Sequence, residues 1–401
     1  MGMSGRASGR RHNGSMGGKR SVTTKLKPVI ASVETESIEV PLVGPSDLPV
    51  EAAEAAEAGA PRLARHTITL SDGHQVGVAV CGRGVPLVLV HGFSAEGILY
   101  AQTLSRLVSM GFKVVAIDQA GHGGTLGLPT GGASMESYTR LLARVIDELG
   151  IERAVFMGHS MGGRLVTELA ANEPQRAIAV ILLDAIVGDT WDRMVNLFRV
   201  APPLLAGVGV GLAVDSLSTI PVFRDPRQAA KLGHLLAPTI AGHVRRPWRL
   251  AGPMVSILRS RGTGWMLDRL AREKVPLFVI HGDRDYAVPV ATARSASRRG
   301  EGDLILVHKA SHSWLLKDPE ALPAVMFELM KGRLGTARLK AILAGGVDPN
   351  DATVEEIEAV FLAPDSLVAE LTPQEPWVDL DERHPKPRYR FTAHARRRRA
   401  S

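Results

Sequence analysis

The feature that most constrains this chain is a series of short, almost wholly apolar runs separated by helical patterns. PLVLV (86–90), KVVAI (113–117), AVFM (154–157) and AVILL (179–183) are each four or five residues long. Runs of that length fit strands buried on both faces. Between them, apolar residues recur at helical spacing. Residues 97–110 place Leu99, Leu104, Leu107 and Val108 on one face. MESYTRLLARVIDELG (135–150) is amphipathic and stops at Gly150. A further helix is expected over about 161–172. Such alternation predicts an α/β fold with a mostly parallel central sheet and helices on both faces. Upstream, TITL (67–70) and QVGVAV (75–80) flank Ser71-Asp72-Gly73 and predict a hairpin. Downstream, the pattern resumes with PLFVI (276–280), a helix near 290–298, DLILV (303–307) and a helix from about 319 to 331.

The pattern divides the chain. Residues 1–60 have no sustained apolar periodicity and are expected to be poorly ordered, apart from a potential short helix in EAAEAAEAGAP (51–61). Residues 61–187 and 271–333 form the two parts of the core. Residues 188–270 break the alternation with helical patches and many prolines, and are read as an inserted helical cap. Residues 334–401 form a C-terminal extension, expected to hold one short helix (352–362) and a basic tail.

Composition excludes some chemistry. The 401 residues contain a single cysteine, Cys81, so an internal disulfide and a cysteine-based metal cluster are ruled out. No signal peptide and no spanning apolar stretch are recognisable, and a cytoplasmic protein is expected. The formal charge of +7 is concentrated at the ends. Residues 1–27 carry seven Lys/Arg and residues 383–399 carry eight, with no acids in either. Without those fifteen, 33 basic side chains face 41 acidic ones. An acidic body gives no reason to expect nucleic-acid binding by the core, whereas the tails suit solvation or contact with an anionic surface.

Gly158-His159-Ser160-Met161-Gly162 fits G-x-S-x-G, with a strand before it and a helix behind it. That context is what a nucleophile elbow requires: a tight, strained turn presenting Ser160 at the carboxyl edge of the sheet. A serine nucleophile needs a base, and the base needs an orienting carboxylate. PLFVI leads into HGDRDYAVP, and DLILV leads into HKASHSWLLKDPE. His312 is the expected base, while His308 ends its strand and is expected to pack or meet solvent. Asp283 and Asp285 both qualify as the acid, and Asp184 ends a strand too; spacing alone leaves the choice open. An oxyanion hole needs two backbone N–H donors. Met161, after the nucleophile, supplies one and Phe93, in the loop after PLVLV, the other.

Together these segments resemble the α/β-hydrolase superfamily, in particular its serine esterase, lipase and monoacylglycerol-lipase members. HGF (91–93) resembles the oxyanion loop, DQAGHGGT (118–125) the loop after the next strand, and GHSMGG (158–163) the elbow. GDRDYAVP (282–289) is similar to the acid loop, and ASHSW (310–314) to the histidine loop. The resemblance selects Asp285 over Asp283. It implies that Asp118 and His122 shape a loop. Ser160 also separates the chain from members with Asp at the elbow. The implied activity is carboxylic-ester hydrolysis through an acyl-enzyme, with no metal or organic cofactor. C–C bond hydrolysis, amidase, thioesterase, haloperoxidase and acyltransferase chemistry use the same site, and a non-catalytic binding role is the alternative outside catalysis. Between Met194 and Ile220 the only charges are Arg199 and Asp215. An apolar small-molecule ester is therefore the expected partner, if this segment lines the pocket instead of only holding the cap to the core.

Overall fold

The computed structural model describes residues 32–38, 63–93, 101–129, 133–217, 248–372 and 387–394. Its strands are β1 (Ser32–Ile38), β2 (Leu63–Thr69), β3 (Gln75–Cys81), β4 (Val85–Val90), β5 (Phe112–Ile117), β6 (Ala154–His159), β7 (Ala177–Leu183), β8 (Leu277–Gly282), β9 (Asp303–Val307) and β10 (Phe391–His394). They form one sheet in the order β1-β2-β3-β5-β4-β6-β7-β8-β9-β10. The six strands from β5 to β9 in that order are parallel, whereas the β1–β2, β2–β3, β3–β5 and β9–β10 pairs are antiparallel. The expected α/β architecture and the hairpin through Ser71-Asp72-Gly73 are both present.

The helices are α1 (Ala101–Val108), α2 (Met135–Glu148), α3 (Met161–Asn172), α4 (Asp189–Val200), α5 (Pro202–Leu217), α6 (Trp248–Arg259), α7 (Gly264–Arg272), α8 (Val290–Arg299), α9 (Trp314–Lys317), α10 (Ala321–Met330), α11 (Arg333–Ala344), α12 (Val354–Ala359) and α13 (Leu367–Glu370). Successive side chains on a strand point to opposite faces. Val155 and Met157 therefore join one apolar layer and Phe156 the other. The layer on the α2–α3 side includes Leu142, Val145, Leu165 and Leu169, and the opposite layer includes Leu104, Leu107, Val325 and Met326.

Two expectations for the ends need correction. Within 1–60, residues 32–38 are an ordered edge strand paired along their whole length with β2. The potential helix at 51–61 lies outside the described residues. The extension from 334 holds more than one short helix: α11, α12 and α13 are followed by β10. It is part of the core. Leu334, Ile342 and Phe361 enter one apolar layer, and Leu362, Val368 and Leu371 the other. Apolar positions that look scattered in sequence are collected there by packing against both faces of the sheet.

Register aligns the strand ends. Val90 pairs with Gly158, His159 with Leu183, and Gly282 with Val307. The loops after β4, β6, β7, β8 and β9 consequently leave from one edge, the carboxyl edge where α/β folds bind ligands.

Candidate active site

Ser160 sits between β6 and α3 with φ 51° and ψ −116°, left-handed backbone that a non-glycine residue rarely adopts. Backbone hydrogen bonds hold the turn. The Ser160 N–H donates to the Leu183 carbonyl at 2.8 Å, and the Ser160 carbonyl accepts from Gly163 at 3.1 Å and Ile186 at 3.2 Å. Gly162 is required for space, because a Cβ there would run into the carbonyls of Val90 and His91. Ser160 itself is buried, and Met161 begins α3 beside it.

The loop after β4 packs on this turn. A Cβ on Gly92 would lie 2.7 Å from His159 Nδ1 and 3.0 Å from Ser160 Cβ. Phe93 follows, its ring edge-on to His122. The loop is pinned from behind by Gln119. Its backbone N–H donates to His91 Nε2 at 2.9 Å, and its side-chain amide donates to the His91 carbonyl. Asp118 and His122 hold the neighbouring loop, as the resemblance implies: the Asp118 carboxylate accepts the Gly124 N–H, and His122 stacks edge-on against His91.

His312 Nδ1 donates to Asp285 Oδ2 at 2.6 Å, and both groups are buried. The other Asp285 oxygen accepts the N–H groups of Ala287 and Val288, each at 2.8 Å. Burial alone would lower the His312 pKa, but the charge and hydrogen bond of Asp285, with Asp184 and Asp215 nearby, push it up to about 9. Burial also works against ionised Asp285, yet His312, His281 and the Val288 amide hold its pKa below the ordinary carboxylate value. The His312 ring lies 4.8 Å from that of His159, the residue before Ser160. Burial and the neighbouring His312 lower His159 to about 3, so it is neutral there.

The other acid candidates have different partners. Asp283 accepts from Lys309 N–H and bonds His308 Nδ1 at 3.0 Å. His308 is therefore more than a solvent contact, and its Nε2 reaches Thr392 Oγ1 on β10 at 2.6 Å. Asp184 is fully buried and accepts from Gly282 N–H at 2.8 Å and from the Trp314 indole at 2.5 Å. Burial pushes its pKa up to about 6.

His281 is a further residue of the site that the sequence motifs do not single out. It lies between the two carboxylates, with Nδ1 3.6 Å from Asp184 and Nε2 3.7 Å from Asp285, and Nε2 donates to the Val288 carbonyl at 2.7 Å. The signal was its position at the end of a buried strand, immediately before the acid loop. Asp184, His281 and Asp285 each offer an atom within 4.8 Å of the others, a spacing that suits a metal ion. Both carboxylates are already engaged by hydrogen-bond donors, so the cluster reads as support behind His312.

Helix α5, within the segment expected to form a cap, reaches the same edge. Asp215, in the last turn of α5, accepts from Ser313 N–H at 2.7 Å and pairs with Lys317 at 2.9 Å. Leu205, Val208 and Leu212 pack towards the core, whereas Leu204 and Val210 are exposed. Part of the apolar stretch thus packs on the core.

The serine aminopeptidase S33 family matches residues 85–320, well over half of the chain. The chain belongs to this α/β-hydrolase family. A protein of Mycobacterium phage D29 named for non-heme haloperoxidase activity is 34% identical over 267 residues, covering 64% of this chain and 92% of that protein. A monoacylglycerol lipase of Mycolicibacterium smegmatis is 28% identical over 216 residues, covering 53% of this chain and 74% of the lipase. The crystal structure of an esterase from Rhodococcus sp. ECU1013 superposes with a TM-score of 0.51 at 20% identity, covering 68% of this chain and 99% of the esterase. That similarity extends to the fold. Among the described residues of the hydrolase, no helix is long and apolar enough to cross a membrane.

Proposed function

We propose that this hydrolase cleaves a carboxylic ester, with Ser160 as nucleophile, His312 as base and Asp285 as the orienting acid. The observation that carries the reading is the 2.6 Å Asp285–His312 bond on the strand edge that holds Ser160 in its left-handed turn. Neutral His312 takes the Ser160 proton as Oγ attacks the acyl carbon. The amides of Phe93 and Met161 receive the oxyanion, the latter at a helix N-terminus that favours negative charge. Imidazolium returns its proton to the departing alcohol, and the acyl group stays on Ser160. His312 then activates water, which releases the acid. Asp285 favours the imidazolium at each stage. That is the chemical meaning of the raised His312 pKa.

An apolar acyl or alcohol group fits best, because α5 ends beside His312 through the Asp215–Ser313 bond and carries no other charge. A fluorophosphonate probe should label the wild type and spare Ser160→Ala. Equal labelling would refute the nucleophile assignment. With p-nitrophenyl esters, octanoate should be cleaved better than acetate, and the reverse order would refute the apolar site. The name of the phage relative supports a second reading, halide oxidation with hydrogen peroxide. Bromination of a dione by the wild type at a rate exceeding its ester hydrolysis would favour it.

A further inference from the structure

Away from the strand edge that carries Ser160, α2, α3 and the start of α7 line an open cleft of about 440 Å³. That volume suits a small organic ligand. It lies where the expected cap returns to the core. Arg164 lines it, one turn along α3 from Ser160, with only 1% of its side chain exposed. Its Nε, Nη1 and Nη2 have no hydrogen-bond partner among the described residues. The nearest carboxylate oxygen, Glu168 Oε2, is 4.0 Å away and is itself unpartnered. The charges of Glu168, Asp192 and Glu136 surround the group, but burying a guanidinium without hydrogen bonds is strongly unfavourable, so five N–H donors sealed just behind the lining call for an acceptor once the side chain turns toward the cleft.

We propose that this cleft binds a small monocarboxylate with an apolar body. A planar carboxylate meets the guanidinium fork with two parallel hydrogen bonds. Leu169, Met266 and Ala143 line the cleft around it, and Trp265, 45% exposed, stands at the rim. Arg140 and Arg261 are exposed on the rim and attract an anion. Glu136, Glu168 and Glu173 also line the cleft and disfavour a second negative charge, which argues against a phosphate dianion. Glu168 beside the fork accepts a hydrogen bond from a donor on the ligand, so a hydroxyl or amide next to the carboxylate improves the fit.

The site is tested on the full chain by titration with benzoate, followed by calorimetry. Saturable one-to-one binding is expected, weakened at least about tenfold in Arg164→Met, where the fork is lost. Ala143→Phe fills the cleft and leaves Arg164 in place, and should weaken binding similarly. That second variant separates loss of the site from any disturbance caused by replacing a buried arginine. Three results would overturn the proposal: no saturable binding to the wild type, unchanged binding in both variants, or inorganic phosphate binding more tightly than benzoate in an Arg164-dependent way. Unchanged binding in both variants would place benzoate elsewhere, including the pocket of Ser160.

Discussion

Lys113 Nζ, on the central strand β5, lies 2.9 Å from Glu358 on α12, and both side chains are buried. Lys113 also donates to Thr372, and Glu358 accepts the Gly84 N–H at 3.0 Å. The pair clamps the C-terminal helices to the sheet. Burial pulls the Lys113 pKa down against the charge of Glu358. Removing one partner leaves the other charged and desolvated, at a cost of about 3–5 kcal/mol. Lys113→Met should therefore lose roughly that much in urea unfolding, and adding Glu358→Gln should restore most of it. A loss below about 1 kcal/mol for the single variant would show that the clamp is not energetically important.

The Asp285–His312 pair ties activity and stability to pH in opposite directions. In the proposed mechanism His312 acts as a neutral base, and its pKa is raised to about 9, so the proposed ester cleavage should climb as pH rises from neutrality through about 9. The stability from the same pair has the reverse sign. A histidine whose folded pKa exceeds its unfolded value of 6.5 contributes fully below about pH 6.5, and the contribution is lost as pH rises through about 9. Asp285→Asn should move the acid limb of the rate profile downward and reduce kcat by about 10⁴-fold. An unmoved acid limb would detach Asp285 from His312.

The sheet from β4 to β9 is legible in the sequence because strands buried on both faces leave short runs that are almost wholly apolar. Ser160 and His312 are legible because the elbow and histidine loop follow such runs directly. The choice of Asp285 over Asp283 is legible only through the resemblance of GDRDYAVP to the acid loop, since spacing places both at the same strand end and the turn decides which meets His312. β1 and β10 escape detection for another reason. SVETESI and FTAH lack a strong apolar pattern, and each becomes a strand through pairing with an edge, β2 or β9. Lys113 interrupts an apolar strand, and its partner Glu358 is remote in sequence. His281 and Trp314 look like ordinary core residues until Asp184 is seen between them.

Trp314 gives a measure of that buried network. Its indole N–H donates to Asp184 Oδ2 at 2.5 Å, while the ring is fully buried. Trp314→Phe keeps most of the apolar contact and leaves a buried carboxylate oxygen without its donor. A loss of about 1–3 kcal/mol is expected, together with a further rise in the Asp184 pKa. Thermal denaturation at pH 5 and pH 8 separates the two effects. A raised Asp184 pKa makes the neutral acid easier to form, so the deficit should be larger at pH 8, where the carboxylate must stay ionised. Equal stability of variant and wild type at pH 8 would refute the bond's role.

β10 is attached to the catalytic half of the fold through Asp318, just beyond the histidine loop. Buried Asp318 Oδ2 accepts from Arg388 N–H at 2.6 Å and Tyr389 N–H at 3.0 Å, which fixes the entry of the strand. From there β10 pairs with β9, and Thr392 meets His308. Asp318→Ala removes the acceptor for two backbone donors and should cost about 1–3 kcal/mol locally. The opening should be confined to the edge. Amide exchange at 391–394 should accelerate, whereas Val279 and Ile280, inside the sheet, should keep wild-type protection. Because β9 leads into the loop of His312, releasing β10 should also lower kcat more than it raises KM. Faster exchange throughout the sheet would mean that Asp318 supports the whole core, and unchanged exchange at 391–394 would mean that the β9 ladder alone holds the strand.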